Sequence, residues 1–387
     1  MGGGAQSSAN HGSKIRIGRI WGSLILMRSP AKSITGIELS RQFYESVVRP
    51  RITAALGAVP HAVALLGDGS EVLGFDDAVS TDHDFGPRLQ LFLPLECDPS
   101  PLAAVLNELP AQFKGFPVRY RDSDNHDGDV QHQVDITTAP EFFIAILGVD
   151  PSTGMSLGNW LSTPTQVLAT LTGGEVFFDP TNLLGDRRSA LRWYPPNVWR
   201  YVLASAWLRI SQGESFVGRT GATGDDLGCA LVTAQLVRDL VRLTFLIDQR
   251  WAPYTKWLGR AFTELPHSPG VAPALATALT ASTWRERETA LCNASSALGE
   301  ATNLLGLAET VDSTPRQFHT RDIRVIGAER FTQALIEAIT DRQLHKLVST
   351  VGTRADGVYQ LSGAIDQMNV DVLNRRSQWA TIARGLW

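Results

Sequence analysis

Cysteine is scarce in this chain: Cys97, Cys229 and Cys292 are the only three among 387 residues, and they lie far apart. They have no metal-ligand spacing and build no disulfide framework, which suits a reducing cytosol. Lysine is nearly as rare, at five of the 35 basic residues. Charge of one sign is missing too: the net charge of −4 excludes a field that gathers nucleic acid or anionic membrane indiscriminately, though not a local basic cleft. No apolar run approaches the length of a membrane span. A phosphate-binding loop with Lys-Ser/Thr and a dinucleotide-binding glycine fingerprint are both absent. What is present, 43% hydrophobic and 19% charged residues, describes a soluble globular protein with a large core. Its length predicts two domains.

Near the N-terminus, Lys14, Arg16 and Arg19 precede the short run Ile20 to Met27, a faint imitation of a signal peptide. Gly22 and Ser23 break the run, and no small-x-small cleavage site follows. Met1 to Ser13 is rich in Gly, Ser and Asn and is expected to be disordered. Met27, rather than Met1, is expected to be the natural start, with residues 1–35 an extension or disordered segment and the protein cytoplasmic.

Periodicity divides the remainder. Gly36 to Leu56 reads as a helix that Pro50 should kink or interrupt. His61 to Leu66, Arg88 to Leu93, Gln131 to Ile136 and Glu175 to Phe178 read as strands, with helices near Pro101 to Leu109, Pro140 to Leu147 and Pro164 to Leu171. Past Tyr194-Pro195-Pro196 no convincing strand is found. Asp225 to Arg250 has apolar residues at helical spacing, with Asp225 as N-cap. Further helices are expected over Tyr254 to Glu264, Thr283 to Leu304, Ala328 to Leu347 and Gln360 to Leu386. The expected fold is α+β: a mixed sheet with flanking helices over 36–193, then an all-α bundle over 194–387.

The stretch richest in chemistry is Leu65-Leu66-Gly67-Asp68-Gly69-Ser70, followed by Ser80-Thr81-Asp82-His83-Asp84-Phe85-Gly86. A strand delivers a Gly-Ser turn, where Gly69 admits a phosphate chain to the backbone and the Ser70 hydroxyl joins turn N–H groups around its oxygens. Asp82 and Asp84 stand at i and i+2, so extended backbone turns both carboxylates to one face. Such a pair is an oxygen-rich site for Mg²⁺, completed by triphosphate oxygens. Two ions there can stabilise the attacking and leaving oxygens of an in-line displacement.

These features resemble the polymerase-β-like nucleotidyltransferase superfamily: apolar strand, Gly with Gly or Ser, about a dozen residues, then Asp-x-Asp or Asp-x-Glu. The resemblance implies a third acid on a later strand, for which Asp135 in Val134-Asp135-Ile136 is the candidate and Asp179 the fallback. It also implies Mg²⁺ or Mn²⁺ as cofactor, with Asp82, Asp84 and Asp135 as ligands and Asp135 helping to deprotonate the acceptor. GSEVLGFDDAVSTDHDFGPR (Gly69 to Arg88) is similar to an uncharacterised bacterial branch, and RWAPYTKWLG (Arg250 to Gly259) to that branch's helical half. His83 departs from the superfamily, where that position is usually apolar.

The resemblance implies transfer of a nucleoside monophosphate from a triphosphate, ATP foremost, to a hydroxyl of a small-molecule acceptor. A protein or RNA acceptor, or a degenerate nucleotide-sensing or partner-binding module, is the alternative. Related enzymes supply a cation to the triphosphate from the helical domain; Lys256 fits, helped by Arg238 or Arg242, while packing by Trp251, Tyr254 and Trp257 is the plainer reading. Asp76 and Asp77 either support the metal-binding acids from behind or are merely loop residues, and Arg88 is placed in an ordinary salt bridge rather than on phosphate. Asp122 to Asp129 imitates a calcium loop but lacks the sixth-position Gly and has Gln133 where Glu belongs. Arg260 and His267 have the spacing of a helical nuclease pair, with Pro266 breaking the helix such a site needs.

Overall fold

The computed structural model describes residues 34–76, 85–120 and 130–351. Thr35 opens the first helix, α1 (Gly36–Phe43), its side chain accepting the Glu38 amide at 3.3 Å. The chain passes through a π-helical turn, Tyr44–Val48, directly into α2 (Arg49–Leu56). Pro50 therefore does not interrupt the helix. A proline lacks an N–H and its ring clashes with the carbonyl four residues back; the wider π turn, in which the Arg49 amide reaches Tyr44 O, gives that ring room.

The strands are β1 (Ala62–Leu65), β2 (Arg88–Phe92), the two-residue pair β3 (Gln112–Phe113) and β4 (Phe116–Pro117), β5 (Arg119–Tyr120), β6 (Gln131–Thr137) and β7 (Glu175–Phe178). Five form one sheet in the order β5-β6-β2-β1-β7. Strands β2 and β6 run parallel and the other pairs antiparallel, so the sheet is mixed, as expected. Helices α3 (Ser100–Leu106), α4 (Ala139–Leu147), α5 (Leu157–Ser162), α6 (Thr165–Thr172) and α7 (Leu183–Ala190) complete this half.

Alternation along the strands separates two cores. Val63, Leu89 and Leu91 pack with Phe43, Val48 and Ile52 of the first helical run and with Leu102 and Leu106 of α3. Ala62, Ala64, Leu66 and Phe92 belong to the other, larger core, which continues into the helices after residue 195. Those helices are α8 (Pro196–Glu214), α9 (Phe216–Gly221), α10 (Asp226–Ile247), α11 (Thr255–Thr263), α12 (Ser268–Thr280) and α13 (Trp284–Leu304), then α14 (Glu329–Glu337) and α15 (Arg342–Val351). Asp225 caps α10 by accepting the Gly228 amide at 2.8 Å, and Thr283 with Glu286 forms a reciprocal cap on α13.

Two expectations need correction here. The region after residue 198 does contain strand, a two-residue ribbon of β8 (Arg316–Gln317) and β9 (Arg324–Val325), too short for alternation to betray it. The single helix expected over Ala328 to Leu347 is two, because Asp341 accepts the Gln343 and Leu344 amides and starts a new helix. The expected helix over Gln360 to Leu386 and the Met27 start lie outside the described residues. Among the described residues no helix is long and apolar enough to cross a membrane.

Candidate nucleotide and metal site

The glycine-serine turn is built by side chains around it. Beyond β1, Gln90 of β2 takes the place of a neighbouring strand: its Oε1 accepts the Leu66 amide at 2.9 Å and its Nε2 donates to Leu66 O at 3.2 Å. Gly69 has φ 138, and a Cβ there would lie 2.2 Å from Arg88 Nη2, so only glycine fits. The turn closes through Phe75 N–H to Ser70 O at 2.9 Å. Arg88 braces it, donating from Nε to Glu71 Oε1 at 2.7 Å and from Nη2 to the Asp68 carbonyl. Burial disfavours the Arg88 charge, but Glu71, with smaller help from Tyr120 and Asp68, raises the guanidinium pKa on balance. Arg88 is thus in an ordinary salt bridge.

The start of α11 meets this turn. Trp257 Nε1 donates to Ser70 Oγ at 3.0 Å, and Tyr254 Oη lies 3.4 Å from the same oxygen. The Phe75 and Trp257 rings approach to 5.4 Å, with Arg260 stacked over both. Lys256 is exposed, its Nζ 4.8 Å above the Trp257 ring. From α10, Arg238 Nη2 reaches Thr255 Oγ1 at 3.5 Å, and Arg242 comes one turn later. Between them Asp239 is buried against Arg209 Nη2 at 2.7 Å; burial pushes its carboxyl pKa up, against the pull of Arg209, Arg242 and Arg238. Ser70, Lys256 and Arg238 are therefore brought to one locality from segments more than 160 residues apart.

The carboxylates divide. Asp179 is fully engaged: its oxygens accept the Leu183, Leu184 and Gly185 amides at 2.7, 2.8 and 3.1 Å, capping α7. That corrects its standing as a fallback metal ligand, since a carboxylate satisfied by three amides serves the helix start. Asp76 is also structural, accepting the Gly36 amide at 2.7 Å at the start of α1. Asp135 pairs in register with Gln90, which pairs with Ala64. Register partners share a face, so Asp135 stands roughly 10 Å, two strand spacings, from β1 on the side from which Gln90 reaches Leu66.

The Asp135 carboxylate has no hydrogen-bond or ion-pair partner among the described residues. Its side chain reaches solvent, yet the protein packed around it desolvates the carboxyl and pushes its pKa up. A carboxylate without a donor, at a site that disfavours its charge, fits a cation ligand. Asp82 and Asp84, with Asp77 and His83, lie outside the described residues, as does the Asp122 to Asp129 loop. Among the described residues no group of three His, Cys, Asp or Glu side chains could hold a metal ion.

His267 and Arg260 do not form a pair. Helix α11 ends at Thr263 and α12 begins at Ser268, and His267 Nδ1 bonds Asp248 while Arg260 lies over Phe75 and Trp257. Sequence reasoning missed Trp257 and Tyr254 as partners of Ser70 and Glu71 as partner of Arg88. The aromatic string 250–259 was conspicuous, but no spacing rule couples residues 187 apart.

Residues 160–258 match a family described as "Domain of unknown function (DUF4037)". That segment runs from the end of the sheet-bearing half through the Trp257 contact to Ser70. No curated protein matches the chain. Among solved structures, the chain is similar to a nucleotidyltransferase-like protein from Exiguobacterium sibiricum 255-15, at 12% identity over 80% of this chain and 92% of that one. The TM-score is 0.31, too low to establish a common fold.

Proposed function

We propose that the chain is a nucleotidyltransferase that moves a nucleoside monophosphate from a nucleoside triphosphate to a hydroxyl of a small molecule, releasing pyrophosphate. The observation that carries this reading is the docking of the Gly69-Ser70 turn on Trp257 and Tyr254, which sets Lys256 and Arg238 beside it. Trp257 donates to the Ser70 oxygen, which fixes the hydroxyl at the turn. Backbone around Gly69 approaches the phosphates closely, and Lys256 and Arg238 neutralise their charge. Asp82, Asp84 and Asp135 would hold Mg²⁺, which supplies charge neutralisation for the triphosphate and the departing pyrophosphate.

Asp135 orients the acceptor hydroxyl and takes its proton as the oxygen attacks the α-phosphorus. Catalysis is then chiefly positioning and charge stabilisation. The test is Mg²⁺-dependent pyrophosphate release from each of the four triphosphates, with acceptor hydroxyl compounds present, by the full chain and by the Asp82→Asn, Asp84→Asn double variant. Release by the wild type and its near-complete loss in the variant are expected; equal release from both rejects the assignment.

A further inference from the structure

A cleft of about 1010 Å³ opens on the far wall of the turn, at the upper end of the size range for small-molecule pockets. Val72, Leu73 and Phe75, shortly after Ser70 in the chain, form one wall, so the cleft and the proposed nucleotide site share a partition. The opposite side comes from the stretch joining α10 to α11 and from the residues after α7. Gln249 there holds φ 52, a conformation that non-glycine residues adopt rarely, in the turn that carries Arg250 onto the lining.

Two features give the cleft a chemical preference. Arg192 and Arg250 line it, both exposed, and neither has an ion-pair partner among the described residues. Arg188 adds positive charge although its guanidinium bonds the Leu171, Thr172 and Gly173 carbonyls. Of the two acids on the lining, Asp248 is held by His267, and Glu264 is exposed and suited to accept from a hydroxyl. The lining also carries an indole pair: the Trp193 and Trp251 rings are 4.3 Å apart, stiffened by Trp160, Tyr194 and Trp199. Trp251 Nε1 already donates to Leu191 O at 3.1 Å, but Trp193 Nε1 is buried without an acceptor. An unpaired buried donor is uncommon and costs about 1–3 kcal/mol.

We infer that this cleft is a separate binding site for a small molecule joining an aromatic or sugar ring to a phosphate or carboxylate: the anion on Arg192 and Arg250, the ring on Trp193. This binding chemistry stands independently of the transferase reading. The probes are phenyl phosphate, inorganic phosphate and benzyl alcohol, titrated calorimetrically into the full chain. Phenyl phosphate should bind at least about tenfold more tightly than either fragment, and the Arg192→Ala, Arg250→Ala double variant should lose at least about tenfold. Trp193→Phe, which shortens the aromatic surface, should weaken phenyl phosphate without changing inorganic phosphate. Equal binding of the three probes, or phenyl phosphate affinity unchanged in the double variant, overturns the pocket. Competitive displacement of phenyl phosphate by Mg·ATP overturns the separate site by assigning the cleft to the nucleotide. Arginine-dependent binding without pyrophosphate release from any triphosphate sinks the transferase reading and leaves the pocket standing.

Discussion

Asp179, just beyond β7, and Asp135, within β6, are both aspartates delivered by strands of one sheet, and their oxygens have opposite fates. Three amides at the start of α7 fill those of Asp179, whereas the Asp135 carboxylate has no partner among the described residues. The difference lies in the path the chain takes after each acid. After Asp179 the chain turns through Asn182 at φ 57 straight into a helix whose first N–H groups need acceptors. After Asp135 the strand continues to Thr137, and Thr138 caps α4 instead. An acid that the fold needs is engaged by the fold, and one left without a donor is available for chemistry. Arg88 and Lys256 repeat the contrast among cations: Arg88 is tied to Glu71 and the Asp68 carbonyl, while Lys256 extends over the Trp257 face into solvent.

Substitutions can break this contrast. Asp135→Asn should lower transfer by at least about a hundredfold, the scale on which preorganised charge acts, with thermal stability unchanged or raised because a desolvated charge is gone. Loss of folding together with activity would return Asp135 to the structural class. Asp179→Ala should do the converse, costing about 2 kcal/mol of stability in denaturant titration and leaving turnover of the folded fraction intact. Lys256→Ala should weaken nucleotide binding by about tenfold, or 1.4 kcal/mol, without a change in melting temperature. Unchanged affinity and turnover would remove Lys256 from the site.

Glu214 sharpens the comparison from the engaged side. Like Asp179 it serves three amides, those of Ile326, Gly327 and Ala328 at 3.1, 3.2 and 3.0 Å. Burial nevertheless pushes its pKa up from 4.5 to about 7, more than those bonds pull it down. A pKa raised on folding contributes stability that is complete below about 4.5 and is lost as pH rises through about 7. Wild type minus Glu214→Gln should therefore decline across that interval, by at most about 1.4 kcal/mol per pH unit, and stay flat above it. A difference that is level from pH 4.5 to 7 removes the assignment.

Much of the frame was legible because it is written locally. Short apolar or alternating runs located four strands to within a residue or two, and Asp225 and Thr283 marked helix starts by chemistry contained within one turn. The unforeseen features depend on partners far away. Pro50 signals a break, and only the π turn ahead of it shows how the helix continues. Asp179 looks like a strand-end ligand until three amides from the next helix reach it. Gly69-Ser70 and the 250–259 string each stood out as motifs, but their contact depends on how α11 packs on the turn. Arg192 drew no attention, and Arg250 only as part of that string, because the cleft they line exists only in three dimensions.

The most direct test of the central claim tracks the α-phosphorus itself. Wild-type protein, Mg²⁺ and each α-labelled triphosphate are incubated with hydroxyl compounds and cell lysate, and the label is traced. Label carried from the α position onto an acceptor, with pyrophosphate as the other product, is the result expected. Label that remains in intact triphosphate, or appears only in nucleoside diphosphate, contradicts it.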